Sequence, residues 1–420
     1  MRRSSFLAPV AFVFRRRVLS VLLPALAGFA WTLSGKPYGV VLSPLLIVGV
    51  ALADGPPWRF LAALAYFAVG GYCLPAEVQN FYGSGWLVSV GLWALSSALL
   101  AAPWAWASRG WRVIVVLLIE ALPPLGFFGW LSPLAFAGVA YPGLGVGGLL
   151  LGMGLLWAVA VLARPDACLR DLGWAMSGAV ALSVAALWAN AVYSPPDAPA
   201  GWIGVNTHAD RETDDVMAEV ARNQRWIDQA AAAVREESAG AKKSVRRGLV
   251  VVLPEDVAGT WGPGTAAQMQ AAMRPGDVWL VGASVLGAPH WDGRYLNAVV
   301  GLGCDGDAVL FASPVPVPGG MWKPWAGEKS YTAAHWWEPV RTIAGVRTWA
   351  SICYDQGLAW PWLQALVQRP AVVLRASNYW YEPVGAVAPR VAAATTAAWA
   401  RLMDTAVVTA VNRSAAFTTQ

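Results

Sequence analysis

Seven apolar runs follow one another through the first half of the chain, at about residues 18–34, 40–54, 60–78, 86–106, 113–131, 143–163 and 172–193. Most reach the length at which an α-helix crosses the hydrocarbon core of a bilayer. A chain that strings such runs together has to bury them in lipid or against one another, and that excludes an ordinary soluble enzyme. Composition agrees: 57% of the residues are apolar and 13% are charged, against roughly 25% charged in globular proteins. The second run is short and the fifth contains Pro123 and Pro124, so each is expected to kink or re-enter. The first run is read as a span and not as a cleaved signal peptide, because six more follow it.

Loop charge gives the expected orientation. Alternating from the N-terminus, one side of the bilayer receives Arg2, Arg3, Arg15, Arg16, Arg17, Arg59, Arg109, Arg112, Arg164 and Arg170, and the other receives Lys36. The positive-inside rule places the N-terminus in the cytoplasm. Seven crossings then put everything after about residue 195 outside, in the periplasm of a cell with two membranes, so the expected location is the inner (cytoplasmic) membrane. Residues 1–195 carry net charge +6 and residues 196–420 net −1. The basic excess thus belongs to the apolar half, and direct nucleic-acid binding, which needs a basic surface on a folded polar domain, is not expected. Glu120, inside the fifth run, reads either as a polar lining for a membrane cavity or as a hydrogen bond between helices.

At Ser194-Pro195-Pro196-Asp197 the composition changes abruptly, marking a linker between a membrane domain (1–195) and a second domain (196–420). Strands are expected near 203–206, 249–253, 277–284, 296–302, 307–312, 346–352, 371–376 and 405–411, with helices near 211–237, 264–273, 358–368 and 388–403. The strands are continuous Val/Leu/Ile/Ala runs, which points to sheets covered on both faces and a layered α/β domain.

Two side chains in that domain suggest chemistry. Cys353 follows one apolar strand and precedes a helix rich in Leu, Ala and Trp, a setting that exposes sulfur at a sheet edge and favours thiolate near a helix N-terminus. Glu255, in Leu253-Pro254-Glu255, ends another strand and is placed to act as a general base. Alone, each has a plainer reading, as a buried inert thiol and a solvated carboxylate. Cys304 sits in a turn and is read as structural. The four cysteines are too scattered for a disulfide framework, and His208, His290 and His335 show no ligand spacing. No metal and no cofactor is expected.

The order strand-Pro-Glu, strand-Asn (Leu296-Asn297), strand-Cys-Tyr-Asp (Cys353-Tyr354-Asp355) and Ser377-Asn378-Tyr379-Trp380 resembles the carbon–nitrogen hydrolase (nitrilase) superfamily. Preceded by membrane spans, it is similar to apolipoprotein N-acyltransferase, with Glu120 and Gly126-Phe127-Phe128-Gly129-Trp130 resembling that enzyme's fifth-helix region. The segment from Pro316 to Trp325 and the ending Val411-Asn412-Arg413-Ser414 further resemble a family of conjugal-transfer membrane proteins of rhizobial and agrobacterial-type plasmids. The resemblance implies an αββα nitrilase-like domain after the membrane domain. It also implies a Glu–Lys–Cys triad that takes an acyl chain from a membrane phospholipid as a thioester and passes it to the amino terminus of a lipoprotein.

Glu255 and Cys353 match two members of that triad. The lysine position falls on Ser313, and the glutamate that follows it in the family falls on Met321; Lys323 or Lys329 would have to reach in from the next loop. Asn297, Ser313, Tyr354, Asp355, Asn378 and Trp380 are expected to line the pocket. Trp322, Trp325, Trp336 and Trp337 crowd the loop before Cys353 and read either as a lid facing lipid or as packing aromatics. Two functional expectations follow. One is an acyltransferase or C–N hydrolase-type enzyme using Cys353. The other is a catalytically degenerate binding or assembly component of conjugation, partnering lipoprotein or other conjugation proteins.

Overall fold

The computed structural model describes residues 7–211, 213, 215–240, 248–287, 294–303, 308–323, 325–327, 330–332 and 337–414. The chain divides into two compact units. The first contains residues 1–194 together with 357–366 and 387–404; the second contains 195–356, 367–386 and 405–420.

The first unit is helical. Its helices are α1 (Leu7–Ala30), α2 (Pro44–Leu52), α3 (Pro56–Gly70), α4 (Leu74–Tyr82), α5 (Trp86–Ala101), α6 (Gly110–Ala121), α7 (Phe136–Ala140), α8 (Gly145–Leu162) and α9 (Leu169–Val192). Proline begins α2 and α3, where a missing N–H costs nothing and the fixed φ suits the first turn.

Among the described residues three helices are long and apolar enough to cross a membrane: Trp86–Trp106 (α5 with its 3₁₀ extension), α8 and α9; counting the pair α3 and α4, bent by 55°, as one span makes four. Such helices are consistent with a membrane protein. The seven expected runs all lie in helical stretches, but four do not make straight spans by this measure, for identifiable reasons. Arg15, Arg16 and Arg17 interrupt α1. Ser43-Pro44 separates α2 from the 3₁₀ turn Pro37–Leu42. The third run bends between Gly70 and Leu74. The fifth stops at Ala121, where Pro123 and Pro124 remove the donors that further helix needs.

The second unit is built from β1 (Trp202–Gly204), α10 (Val216–Gly240), β2 (Val250–Val252), α11 (Pro263–Ala272), β3 (Val278–Leu286), β4 (Tyr295–Leu302), β5 (Ala308–Ala312), β6 (Arg341–Ile343), β7 (Val346–Ile352), β8 (Val372–Asn378) and β9 (Ala406–Asn412). One sheet has the order β1-β2-β3-β4-β5 and the other β6-β7-β8-β9. Strands β1-β2-β3 and β7-β8-β9 pair in parallel, and β4, β5 and β6 are antiparallel additions.

Alternation decides which face goes where. Val250, Val252, Leu280, Val299 and Phe311 of the first sheet pack against Ala350, Ile352, Val372, Leu374, Val408 and Ala410 of the second. The opposite face of the first sheet, through Val251, Trp279 and Val281, is covered by Trp226, Ile227 and Ala230 of α10 and Met269 of α11. The unit is therefore a helix layer on two facing sheets. Each fully buried Val, Leu or Phe in that interface contributes about 1.5–3 kcal/mol.

Two remaining helices, α12 (Ala359–Gln368) and α13 (Val387–Met403), lie in the sequence of the second half, yet Gly357–Leu366 and Val387–Asp404 cluster with the first unit. Gly138 of α7 explains the closeness of α13: a Cβ there would strike the carbonyl of Ala398. Arg401 at the end of α13 donates to Asn190 Oδ1 of α9 at 2.9 Å and lies 4.7 Å from the Tyr193 ring.

Gly282 of β3 has a comparable role beneath β2's exit. A Cβ at this position would meet the carbonyl of Pro254 and the Cα of Glu255. Gly282→Ala is expected to lower the stability of the purified chain by about 1–3 kcal/mol through overpacking and to displace Glu255. A fall in Tm with loss of any Glu255-dependent property checks this.

Candidate active site

Cys353 and Glu255 come from different sheets and meet. Glu255 follows β2 by three residues, and Cys353 directly follows β7. The Cys353 thiol lies beside the Glu255 carboxyl, each close enough to shift the other's titration. Glu255 Oε1 also accepts from Asn297 Nδ2 of β4 at 2.7 Å, and Oε2 accepts from the Asn378 N–H at the end of β8 at 3.2 Å. Four strand ends therefore converge on one carboxyl group.

The backbone is strained where these groups leave their strands. Cys353 has φ +47° and Asp256, next to Glu255, has φ +46°. Non-glycine residues rarely adopt this region, and they concentrate at functional sites that over-determine them. A nucleophile on a sharp strand-to-helix turn is the same device that presents the reactive atom in nucleophile elbows. Here a 3₁₀ turn, Cys353–Gly357, intervenes before α12.

The electrostatics differ from the sequence expectation of a thiolate stabilised by a helix end. Burial pushes the Cys353 thiol well above its ordinary value; the Glu255 carboxylate beside it pushes the same way, with the Asn378 N–H opposing. Burial also raises Glu255, to about 7, against the opposing effects of Cys353 and Asn297. Both shifts favour the protonated forms, so the resting thiol keeps its proton beside a carboxyl whose pKa is raised to about 7.

Ser313 stands beside this pair. It is buried, its N–H donates to the carbonyl of Asn297 at 2.8 Å, and its side chain neighbours Asp355. Asp355 is fully buried; Oδ1 accepts from the Val315 N–H at 3.0 Å, and burial drives its carboxyl well above the carboxylate range. Glu338 is likewise pushed up by burial, to about 8. Among the described residues no ion pair joins Lys323 to Glu255, Cys353 or Asp355. Lys329 and Trp336, together with Cys304, lie outside the described residues. The Met321 sulfur is 4.0 Å from Asn297 Nδ2, so Met321 presents a thioether to the site.

Of the residues singled out from sequence, Glu255, Asn297, Ser313, Cys353, Asp355 and Asn378 are brought together. Trp380 instead packs against Arg211 (5.0 Å) and edge-on against Tyr381, and Tyr354 is half-buried. Glu120 is in the other unit, buried and accepting from Trp104 Nε1 at 2.5 Å. Asn412 went unrecognised as a site residue. It is fully buried, donates to Asn378 Oδ1 at 2.8 Å and to the carbonyl of Ala209, and accepts from Thr207 and the Ala209 N–H. It pairs across the ladder with Asn378, and two asparagines ending adjacent parallel strands were the signal available. Among the described residues no group of three or more His, Cys, Asp or Glu is arranged to hold a metal ion.

Together these features define a chain with helices long and apolar enough to cross a membrane and an α/β unit in which a half-buried thiol meets a buried carboxyl. The chain is 29% identical over 423 residues, 95% of its length and 93% of the relative's, to the conjugal transfer protein TraB of Agrobacterium fabrum. It is also 29% identical, over 387 residues, 87% of its length and 93% of the relative's, to the probable conjugal transfer protein TraB of Sinorhizobium fredii. No family model matches the chain.

The raised carboxyl makes a pH prediction. A carboxyl that holds its proton more tightly in the folded chain stabilises it fully below the ordinary value of 4.5, and that stabilisation is lost as pH rises through about 7. Between pH 5 and pH 7.5 the detergent-purified chain is expected to lose about 2–3 kcal/mol from Glu255, seen as a falling Tm. In Glu255→Gln the fall is expected to be smaller.

Proposed function

We propose that this chain is an inner-membrane component of plasmid conjugal transfer whose α/β unit is a carbon–nitrogen hydrolase-like domain that carries an acyl group on Cys353. The conjugal role is supported by two relatives matched along nearly their full length. The chemistry is supported by one observation above the others: a half-buried thiol on a left-handed strand exit, beside a buried carboxyl whose pKa is raised to about 7. The αββα assignment, the domain limits at 1–195 and 196–420, the cytoplasmic N-terminus and the periplasmic second domain belong to the same reading.

In this mechanism the Cys353 sulfur attacks the carbonyl carbon of a phospholipid ester while Glu255 takes the thiol proton. The ester C–O bond breaks, and the leaving alcohol regains that proton from Glu255. An amine, such as a lipoprotein amino terminus, then attacks the thioester; the C–S bond breaks, an amide forms, and the amine's proton returns through Glu255 to the sulfur. Asn297 and the Asn378 N–H hold the carboxyl in place throughout. The role that a lysine has in the acyltransferase falls to neutral donors here, with Ser313 and a protonated Asp355 beside the sulfur. A protonated carboxyl in a dry site is an established hydrogen-bond donor to an oxyanion.

The same absence favours a second reading. Losing a cation from an oxyanion site costs at least the roughly 10²–10³ in rate of a lost neutral donor, so Ser313 also suits a domain that binds an acylated partner without turnover.

Intact-protein mass spectrometry of the full chain incubated with phospholipid tests the proposal, alongside conjugation frequency. The wild type is expected to gain one acyl mass, Cys353→Ala to gain none, and transfer frequency in Cys353→Ala to fall by about 10² or more. Normal transfer in Cys353→Ala would refute thiol catalysis as the biological role. Reduced transfer with no acyl product in the wild type would favour the binding reading.

A further inference from the structure

The helical first unit holds a cavity of about 200 Å³ whose walls come from stretches of chain far apart in sequence. Its charged lining is Arg16 of α1, Asp54 and Arg59 around the start of α3, Arg109 just before α6, and Arg164 and Asp166 beyond α8. Arginines outnumber aspartates by two. Both aspartates are engaged: Asp54 pairs with Arg16 at 3.0 Å, and Arg164 donates to the two oxygens of Asp166 at 3.1 and 2.7 Å. Arg16 is held further by the carbonyl of Leu52, at 2.6 Å. Arg59 is anchored through Nε to the carbonyl of Ala105 at 3.0 Å. Among the described residues no carboxylate lies in ion-pair range of Arg59 or Arg109.

Two guanidinium groups without counter-charge facing one small cavity repel each other, and an anion between them relieves that repulsion. The surroundings indicate where such an anion comes from. Arg17 stacks on Trp58 at 5.1 Å, and Arg112 stacks on Trp106 at 4.7 Å and Trp111 at 5.3 Å. Tryptophan and arginine gathered at one end of apolar helices form the belt found at headgroup level.

We propose that this cavity binds a phosphate group, carried by an anionic phospholipid headgroup or by a free phosphate ester. The planar guanidinium fork matches phosphate oxygens, and basic pockets between membrane helices take lipid headgroups. The volume is below the ~300–1,000 Å³ of pockets that enclose a whole small molecule, so it suits a phosphate and its immediate substituent and not acyl chains. The site shares no residue with the Cys353 pocket and stands whether or not the thiol reacts.

The test uses the full chain purified in detergent, titrated with phosphatidylglycerol, phosphatidylcholine or inorganic phosphate, with occupancy read by native mass spectrometry. Phosphatidylglycerol is expected to be retained about tenfold more than phosphatidylcholine, and the combined change Arg59→Gln and Arg109→Gln to bring the ratio near unity. The combined change Arg59→Lys and Arg109→Lys keeps the charge without the fork. It is expected to give an intermediate ratio, and it serves if the glutamine variant does not fold. Displacement of phosphatidylglycerol by inorganic phosphate supports recognition of phosphate itself, and its failure supports a lipid-borne headgroup. Equal retention of the two lipids, or a ratio unchanged by both double variants, overturns the proposal.

Discussion

A single contact, between the Cys353 thiol and the buried Glu255 carboxyl, ties together the ends of two sheets. It exists only because Val250, Val252 and Leu280 lie face to face with Ile352, Leu374 and Val408, which brings the exits of β2 and β7 to the same edge. Asn297 and the Asn378 N–H then fill both oxygens of the Glu255 carboxyl, and Asn412 holds the Asn378 side chain. Burial has a chemical consequence. Neither group ionises freely, so one proton shared between sulfur and carboxyl becomes the site's working unit.

The strands of the second unit were legible because they are continuous apolar runs bounded by Pro, Gly and Asp, and the expected sites at 249–253 and 346–352 carry the two reacting groups. β6 was not legible. It is three residues long and joined to β7 by Ala344-Gly345, both with positive φ, and alanine is not the residue such a hairpin turn advertises. The linker at residue 195 was visible in composition. That Gly357–Leu366 and Val387–Asp404 cluster with the helical unit was not, because it depends on the fit of Ala398 over Gly138. Periodicity likewise located helical segments in the first half but overstated how many run straight, since Pro123 and Pro124 and the Arg15–Arg17 run act on geometry and local polarity without erasing the apolar pattern.

Ser313 is the position where the geometry and the resemblance drawn from sequence pull apart. Where that resemblance implies a lysine, the chain has a hydroxyl beside Asp355, with Glu338 adding to the raised charge cost of the region. Buried carboxyls without a cation remain neutral. A neutral Asp355 and Ser313 offer hydrogen bonds where a lysine would offer charge. The strain stored at Cys353 and Asp256 is harder to account for in a domain with a purely structural task, because nothing in packing alone requires non-glycine residues with positive φ at the exits of both β2 and β7.

The most direct measurement is the pH dependence of Cys353 alkylation in a full-length chain whose Cys73, Cys168 and Cys304 are replaced by serine. If the thiol and carboxyl meet as described, the rate continues to rise with pH beyond the range of an ordinary cysteine, and Glu255→Gln shifts the profile to lower pH by removing the negative neighbour. An ordinary cysteine profile that Glu255→Gln leaves unchanged would show that the two groups do not share a site.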